Sequence, residues 1–453
     1  MNAKAPVKHS RSLRIPSHLI TQFFPSAGCA CKTPRRNDIF LTSIPQLSEP
    51  RSATVEQDTG AGVIQKPFHG ALMKIAVVRE APEGETRAAL MPDSVRALAT
   101  SGVTVHVERG TGDASGASDA DYVAAGAQIE RDKTELLDSV DVLLCVSRPS
   151  DHDLARLHAG AVVIGFLRPL DEPDAMVQLI ERDLTAFAME LIPRSTRAQS
   201  MDALSSMATI VGYKSVLLAA ERLPRLFPLL MTAAGTIAPA RVLVLGAGVA
   251  GLQAIATARR LGAVVEGYDV RAAAGEHVRS LGAKFLQVDL GGIQTEDAGG
   301  YAVELSEEAL NRGRDLITKH ARTTDAIITS AQVPGKRAPL LVTEEAVAGM
   351  KPGSVIVDLA GSTGGNCAAS KSGETVVRNG VVIMSPLNLA ATVPVHASQL
   401  YSRNITAFLK LLIDDKGELK IDLTDDVVGP TCVVHQGEVV NGRVAAALET
   451  AAR

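Results

Sequence analysis

Residues 241–251 read Arg241-Val-Leu-Val-Leu-Gly246-Ala-Gly248-Val-Ala-Gly251, and a helix-forming run continues to Leu261. Val242 to Leu245 is short and apolar throughout, the pattern of a parallel strand buried on both faces. In a strand-turn-helix unit, G-x-G-x-x-G gives each glycine a physical task. Gly246 makes the tight turn, Gly248 lets a pyrophosphate approach the backbone, and Gly251 lets the helix lie close against the strand. The start of that helix offers free N–H groups and a partial positive charge to phosphates. A second strand, Val264 to Tyr268, ends at Asp269, 18 residues after Gly251. A carboxylate there accepts hydrogen bonds from both ribose hydroxyls and repels a 2′-phosphate, which selects NAD(H) over NADP(H). Arg271 works in the opposite sense, since a cation can hold that phosphate. The expected dinucleotide contacts are Gly246, Gly248, Val249, Gly251, Asp269, Val270 and Arg271.

The same alternation extends in both directions. Upstream, Lys74–Val78, Val103–Val107, Val140–Val146, Ala161–Phe166 and Thr185–Ala188 read as strands separated by helix-compatible segments. Downstream, Ala326–Ser330, Val355–Leu359 and Val381–Met384 continue the second set. Strands alternating with helices predict an α/β protein with parallel sheets. Gln199–Leu223, rich in Ala, Leu and Met with no proline, predicts one long helix between the two sets. After Pro394 the chain turns helical again, from about Ala397 to Ile413, and is expected to return to the first set. The predicted architecture is therefore two Rossmann-like domains around a cleft, the first discontinuous: 73–200 with 394–453, and 201–393. Gln332, in the loop after Ala326–Ser330, faces the crevice in such a fold and is a candidate at the nicotinamide end.

Residues 1–72 stand apart. The first 37 hold basic residues from Lys4 to Arg36 and no acid, and no strand or helix period is visible. Either an unstructured extension ahead of Met73 or a basic targeting segment fits. Over the whole chain, 46 Lys+Arg against 50 Asp+Glu leave a net charge of -4, which gives no basic surface for nucleic acid. Five cysteines with one close pair, Cys29 and Cys31, form neither a disulfide framework nor a zinc pattern, so a reducing compartment and no metal are expected. The apolar run Leu226–Ala240 carries Pro228 and Pro239 and is too short to span a bilayer.

Arg194-Ser-Thr-Arg197-Ala-Gln199-Ser-Met-Asp202-Ala-Leu-Ser205 is dense in polar side chains where the chain passes between domains. With the glycine turn, Asp269-Val-Arg271, Thr295-Glu-Asp-Ala-Gly-Gly300-Tyr301 and Gly364-Gly-Asn366-Cys367, it resembles the NAD(H)-binding first domain of proton-translocating nicotinamide nucleotide transhydrogenase. The resemblance covers roughly Met73 to the C-terminus. It implies hydride exchange between NAD(H) held here and NADP(H) held by a partner subunit, coupled to protons through a membrane-domain subunit. It also implies a homodimer in the cytoplasm, attached to the inner membrane only through those partners. By the same resemblance Arg194 pairs with Asp202, Gln199 lies against the nicotinamide, Ser205 binds its carboxamide, and Ser195, Thr196 and Arg197 join the nucleotide contacts. Gly300 and Tyr301 belong to a lid that closes over the nucleotide. Hydride transfer between two nicotinamides needs orientation rather than an acid or base, and Arg, Gln, Asp and Ser suit that task. Read without the resemblance, the same loop also fits a polar interdomain hinge, and 295–301 an ordinary surface loop.

Two other readings stay open. Alanine dehydrogenase is similar in fold and motifs, and Arg87 matches its carboxylate-binding arginine. However, Ser147-Arg148-Pro149 stands where that family has a lysine, Phe166-Leu-Arg-Pro169 where it has a histidine, and Ser362 where it has an aspartate. Transhydrogenase first domains also usually carry an acid at the Ser362 position. The third reading is a non-catalytic NADH-binding regulatory protein, which needs the glycine turn and Asp269 but not the Arg194–Ser205 loop.

Overall fold

Buried apolar strands and the glycine and asparagine turns between them build two sheets. The computed structural model describes residues 73–80, 84–288, 306–333 and 335–451. The first lobe begins with β1 (Lys74–Val77), β2 (Thr104–Glu108), β3 (Gln128–Glu130), β4 (Val142–Ser147), β5 (Val162–Phe166) and β6 (Thr185–Ala188). A separate hairpin, β7 (Leu230–Thr232) with β8 (Gly235–Ile237), precedes the second lobe. That lobe holds β9 (Arg241–Leu245), β10 (Val264–Tyr268), β11 (Lys284–Leu286), β12 (Ala326–Thr329), β13 (Val355–Asp358), β14 (Thr375–Arg378) and β15 (Val381–Met384). The chain then returns to the first lobe with β16 (Cys432–His435) and β17 (Glu438–Val439).

The first sheet runs β17-β16-β6-β5-β4-β1-β2-β3, and the second β11-β10-β9-β12-β13-β15-β14. Both are parallel except at one edge, so the α/β architecture with parallel sheets is found, with an antiparallel margin on each sheet. β14 is antiparallel to β15, β16 to β6 and β17 to β16. For the β14–β15 and β16–β17 hairpins the cause is local: Asn379 and Gly380 have φ of 52° and 77°, and Gln436 and Gly437 have 47° and 79°. Two left-handed residues in succession make the two-residue turn that matches strand twist in a hairpin.

The helix Pro394–Leu409 fills the first core alongside β1, β2 and β6. Phe408 meets Phe187 edge-on at 5.4 Å, and the Tyr401 hydroxyl donates to the Cys145 carbonyl at 2.6 Å. Such an aromatic pair contributes about 1 kcal/mol beyond the area it buries.

The predicted helix Gln199–Leu223 is two elements. Asp202 accepts from the Ser205 N–H at 2.8 Å and caps a helix over Ala203–Arg222, so Gln199–Met201 is left as a separate 3-10 turn. Aspartate favours this break because its short carboxylate satisfies an otherwise orphaned N–H. The Ala203–Arg222 helix is long and apolar enough to cross a membrane by length and composition, yet it lies between the two lobes. Ala203, Met207 and Ile210 enter the first core; Val216 and Ala219 enter the second. Just beyond it, the apolar run Leu226–Ala240 carries the β7–β8 hairpin, with Leu229, Met231 and Ile237 exposed.

Two carboxylates close the ends of the first sheet. Glu80 accepts from Val146 N and from Ser147 N (2.8 Å), and Glu190 from Arg168 N and Leu167 N (3.4 Å). Burial pushes both up to about 7, against the pull of these amide bonds. The folded chain therefore binds more protons than the unfolded chain between the ordinary carboxylate value of 4.5 and about 7. Their contribution favours the fold at the acid end of that window and is lost as pH rises through 7. Burial lowers the pKa of His435, which opposes the trend at its acid end. We expect the urea midpoint to rise as pH falls from 8 to 6, and Glu80→Gln to flatten that slope; an unchanged slope in the variant would acquit Glu80.

Candidate nucleotide site

The glycine turn has the geometry its spacing implies. Gly246 has φ of 96°, and its N–H donates to the Tyr268 carbonyl at 2.8 Å, tying the turn to the end of β10. A Cβ on Gly251 would lie 1.7 Å from the Gly246 carbonyl oxygen, so only glycine admits this helix at its present distance. A Cβ on Gly248 would meet nothing within 4 Å. That open space lies at the start of the Val249–Arg260 helix, where Gly248 is the cap and Val249 is exposed. Free N–H groups beside open space fit a phosphate.

Asp269 ends β10 with its carboxylate turned inward. It accepts from the Ala247 N–H in the turn (2.7 Å) and from Arg271, through N–H (2.9 Å), Nε (2.9 Å) and Nη2 (2.8 Å). Val270 packs on the core at the opposite face of the second sheet, beside Leu243 and Leu245. A ribose seated on Asp269 would share that carboxylate with Arg271.

Across the sheet, the loops after β12 and β13 are tied together. Asn366 is fully buried; its Oδ1 accepts from Ala331 N at 3.1 Å, and its Nδ2 donates to the Ala331 and Pro339 carbonyls, both at 2.8 Å. Asp358, also fully buried, accepts from Thr329, Ala360, Asn366, Cys367 and Ser370. Gln332 is exposed in the first of these loops, with its Nε2 donating to the Leu359 carbonyl at 3.1 Å. Gly361–Thr363 forms a 3-10 turn. Asn366 and Asp358 act as ties that hold these loops, a role that is not apparent from the sequence.

The Arg194–Ser205 loop lies at the start of the interlobe helix. Asp202 engages Ser205 through both N–H (2.8 Å) and Oγ (2.6 Å). Arg194, Thr196 and Gln199 are exposed, and the Ser195 hydroxyl accepts from Ala198 N at 3.3 Å. Arg197 pairs with Asp425 (Nη2 2.7 Å, Nη1 3.0 Å) and with Asp426. Its guanidinium pulls the Asp425 carboxyl down to about 2. The helix leads from this loop to the glycine turn: a Cβ on Gly212 would sit 2.1 Å from the Ala250 carbonyl oxygen. Ten helical residues separate Asp202 from that crossing, about 15 Å. Gly212 carries no signal in the sequence, because only the crossing reveals its task. Gly300, Tyr301 and the rest of the expected lid lie outside the described residues.

In the first lobe, Arg87 donates to Glu85 through Nε (2.8 Å) and Nη2 (2.7 Å), and both side chains are buried. Ser147 and Asn388 donate to the same carboxylate at 3.2 and 3.0 Å.

Residues 76–211 match the N-terminal domain of the alanine dehydrogenase/PNT family, and residues 215–442 match its C-terminal domain. The chain is 46% identical over 376 residues to an NAD(P) transhydrogenase subunit alpha polypeptide of Rhodospirillum rubrum, an alignment covering 82% of this chain and 98% of that protein. It is 32% identical over 382 residues to alanine dehydrogenase of Halomonas elongata, covering 83% and 96% respectively. Among solved structures, a transhydrogenase from Sinorhizobium meliloti superposes with a TM-score of 0.74 at 42% identity, covering 81% of this chain and all of that one. With both domains matched in order across residues 76–211 and 215–442, the chain belongs to the alanine dehydrogenase/PNT family.

Proposed function

We propose that this chain is the NAD(H)-binding component of a proton-translocating NAD(P) transhydrogenase. It exchanges hydride with NADP(H) held by a partner subunit, acts as a homodimer, and meets the inner membrane from the cytoplasm through a membrane-domain subunit. Its two domains, 73–200 with 394–453 and 201–393, flank the cleft. The observation that carries this reading is the placement of the Arg194–Ser205 loop on the helix that crosses the nucleotide turn at Gly212, within a chain 46% identical to a transhydrogenase subunit.

NAD(H), when bound, supplies or takes the hydride. Gly246, Gly248, Val249 and Gly251 hold its pyrophosphate; Asp269, Val270 and Arg271 hold the ribose; Gln332 and the loop residues Arg194, Ser195, Thr196, Gln199 and Asp202 orient the nicotinamide, with Ser205 on its carboxamide. Gly300 and Tyr301 cover the nucleotide. None of these groups has to move a proton, in keeping with a direct hydride step. The alanine dehydrogenase reading is weaker on a specific observation: the Arg87 guanidinium is buried and already held in a two-bond ion pair by the buried Glu85, which offsets the charge that a substrate carboxylate would need. A purely regulatory NADH binder has no need of Gln199.

The test mixes the purified chain with an NADP-binding transhydrogenase domain and follows hydride transfer from NADPH to an oxidised NAD analogue. Transfer that requires both proteins, with no reductive amination of pyruvate by ammonia and NADH, is the expected result. Pyruvate reduction by this chain alone overturns it. Gln199→Asn is expected to slow transfer about tenfold and leave NADH affinity within about twofold, since orientation alone is lost; equal loss of both sinks the assignment. Asp269→Ala is expected to weaken NADH about tenfold and narrow its advantage over NADPH. Titrations with both nucleotides, read by their own fluorescence because the chain has no tryptophan, decide this.

A further inference from the structure

We infer that Arg197 and Asn404 are positioning residues for Gln199, clamping its turn from the C-terminal return of the chain. The inference rests on the transhydrogenase reading of Gln199 given above. Gln199 opens the 3-10 turn Gln199–Met201 and is exposed, whereas its neighbours Ala198 and Met201 are buried in the first core. On one side, Arg197 grips Asp425 with two parallel N–H···O bonds, of 2.7 and 3.0 Å, and also reaches Asp426. Asp425 is itself fixed, accepting from Val427 N at 2.8 Å and Val428 N at 3.0 Å. On the other side, the Ser200 carbonyl accepts from Asn404 Nδ2 at 2.8 Å. Asn404 lies on the Pro394–Leu409 helix, and its Oδ1 is buried without a partner.

Two features point to positioning. A bidentate arginine-carboxylate pair fixes direction as well as distance, so it constrains the backbone at Arg197 far more than a single contact would. The side-chain bond of Asn404 goes to the Ser200 carbonyl, so its loss would leave a buried amide without that partner, at a cost. Together the ties restrain the backbone on either side of Gln199 while leaving its side chain facing solvent. Arg197 thus acts through Gln199, in place of the direct nucleotide contact that the resemblance implies.

The experiment uses the full chain with Arg197→Ala, Arg197→Lys, Asn404→Ala and the swap Arg197→Asp with Asp425→Arg. Arg197 lies at the surface, so its variants test the clamp even if Asn404→Ala folds poorly. Three quantities are read: amide hydrogen exchange over 198–202, NADH affinity, and kcat and KM of hydride transfer with the NADP-binding domain. Exchange is expected to rise at least about tenfold in Arg197→Ala and Asn404→Ala, with NADH affinity within about twofold and kcat down about tenfold at little-changed KM. Arg197→Lys should fall between, and the swap should recover some of the loss. Unchanged exchange in both alanine variants overturns the clamp, and weakened NADH with unchanged kcat makes Arg197 a nucleotide ligand instead. If the unaltered chain transfers no hydride, the transhydrogenase reading falls, and the exchange measurement decides the clamp by itself.

Discussion

Asp358→Ala is expected to lower the unfolding free energy by on the order of 4 kcal/mol, the largest single loss expected in this chain. The Asp358 carboxylate is fully buried at the end of β13 and accepts five hydrogen bonds: Thr329 Oγ1 2.9 Å, Ala360 N 3.0 Å, Asn366 N 2.9 Å, Cys367 N 3.0 Å and Ser370 Oγ 2.7 Å. Three of those donors are backbone N–H groups with no alternative partner in a buried loop. Truncation to Ala strands them and leaves a cavity, and each orphaned donor costs about 1 to 3 kcal/mol before relaxation. Asp358→Asn keeps one acceptor but turns an NH2 toward N–H groups, so an intermediate loss is expected. Urea unfolding followed by far-ultraviolet circular dichroism decides it. Because Asn366 sits in the same loop and holds Ala331, NADH affinity should fall in parallel with stability. A loss under about 1 kcal/mol for the Ala variant would mean that water replaces the carboxylate.

Gly212→Ala is expected to cost about 2 kcal/mol and to weaken NADH at least about tenfold, although Gly212 lies outside every nucleotide motif. The new Cβ would fall 2.1 Å from the Ala250 carbonyl oxygen, 2.9 Å from its carbon and 3.0 Å from Cα. All three obstacles are backbone, so no side chain can swing away and the two helices must separate. Helix propensity acts the other way by up to about 1 kcal/mol, too little to offset overpacking of this severity. The displaced residue is Ala250, between Gly248 and Gly251, so the strain is delivered to the phosphate-binding turn. Thermal unfolding and NADH titration of one preparation test both halves. Full affinity with reduced stability would show that the first lobe yields instead.

Most of what is readable from sequence alone is local. Arg241–Gly251 is readable because strand, turn and helix signals follow one another within one run. The hairpin at Asn379-Gly380 carries an equally local signal, but Thr375–Arg378 ends on a charged residue and is mostly exposed, so no buried-strand pattern marks it. β3 and β11, three residues each with exposed polar members, are too short for any period to emerge. The break at Asp202 is hidden because no glycine or proline marks it and a helix-compatible composition continues from Ala203 onward. The ties that fix the site are beyond local reading altogether: Arg197 to Asp425 and Asn404 to Ser200 join positions 228 and 204 apart. No periodicity encodes such pairs; only the closed fold brings them together.

The return of the C-terminus also sets an order of events during synthesis. β6 ends at Ala188, but its antiparallel neighbour β16 starts only at Cys432, and Tyr401 and Phe408 fill the same core. At roughly 5 to 20 residues per second, a ribosome needs on the order of 10 to 50 s to cover that gap. The second sheet, contiguous from Arg241 to Met384, leaves the ribosome complete in the meantime. The lobe made first is therefore the lobe finished last, and a nascent chain halted between the two carries an open apolar face for chaperones and proteases to find.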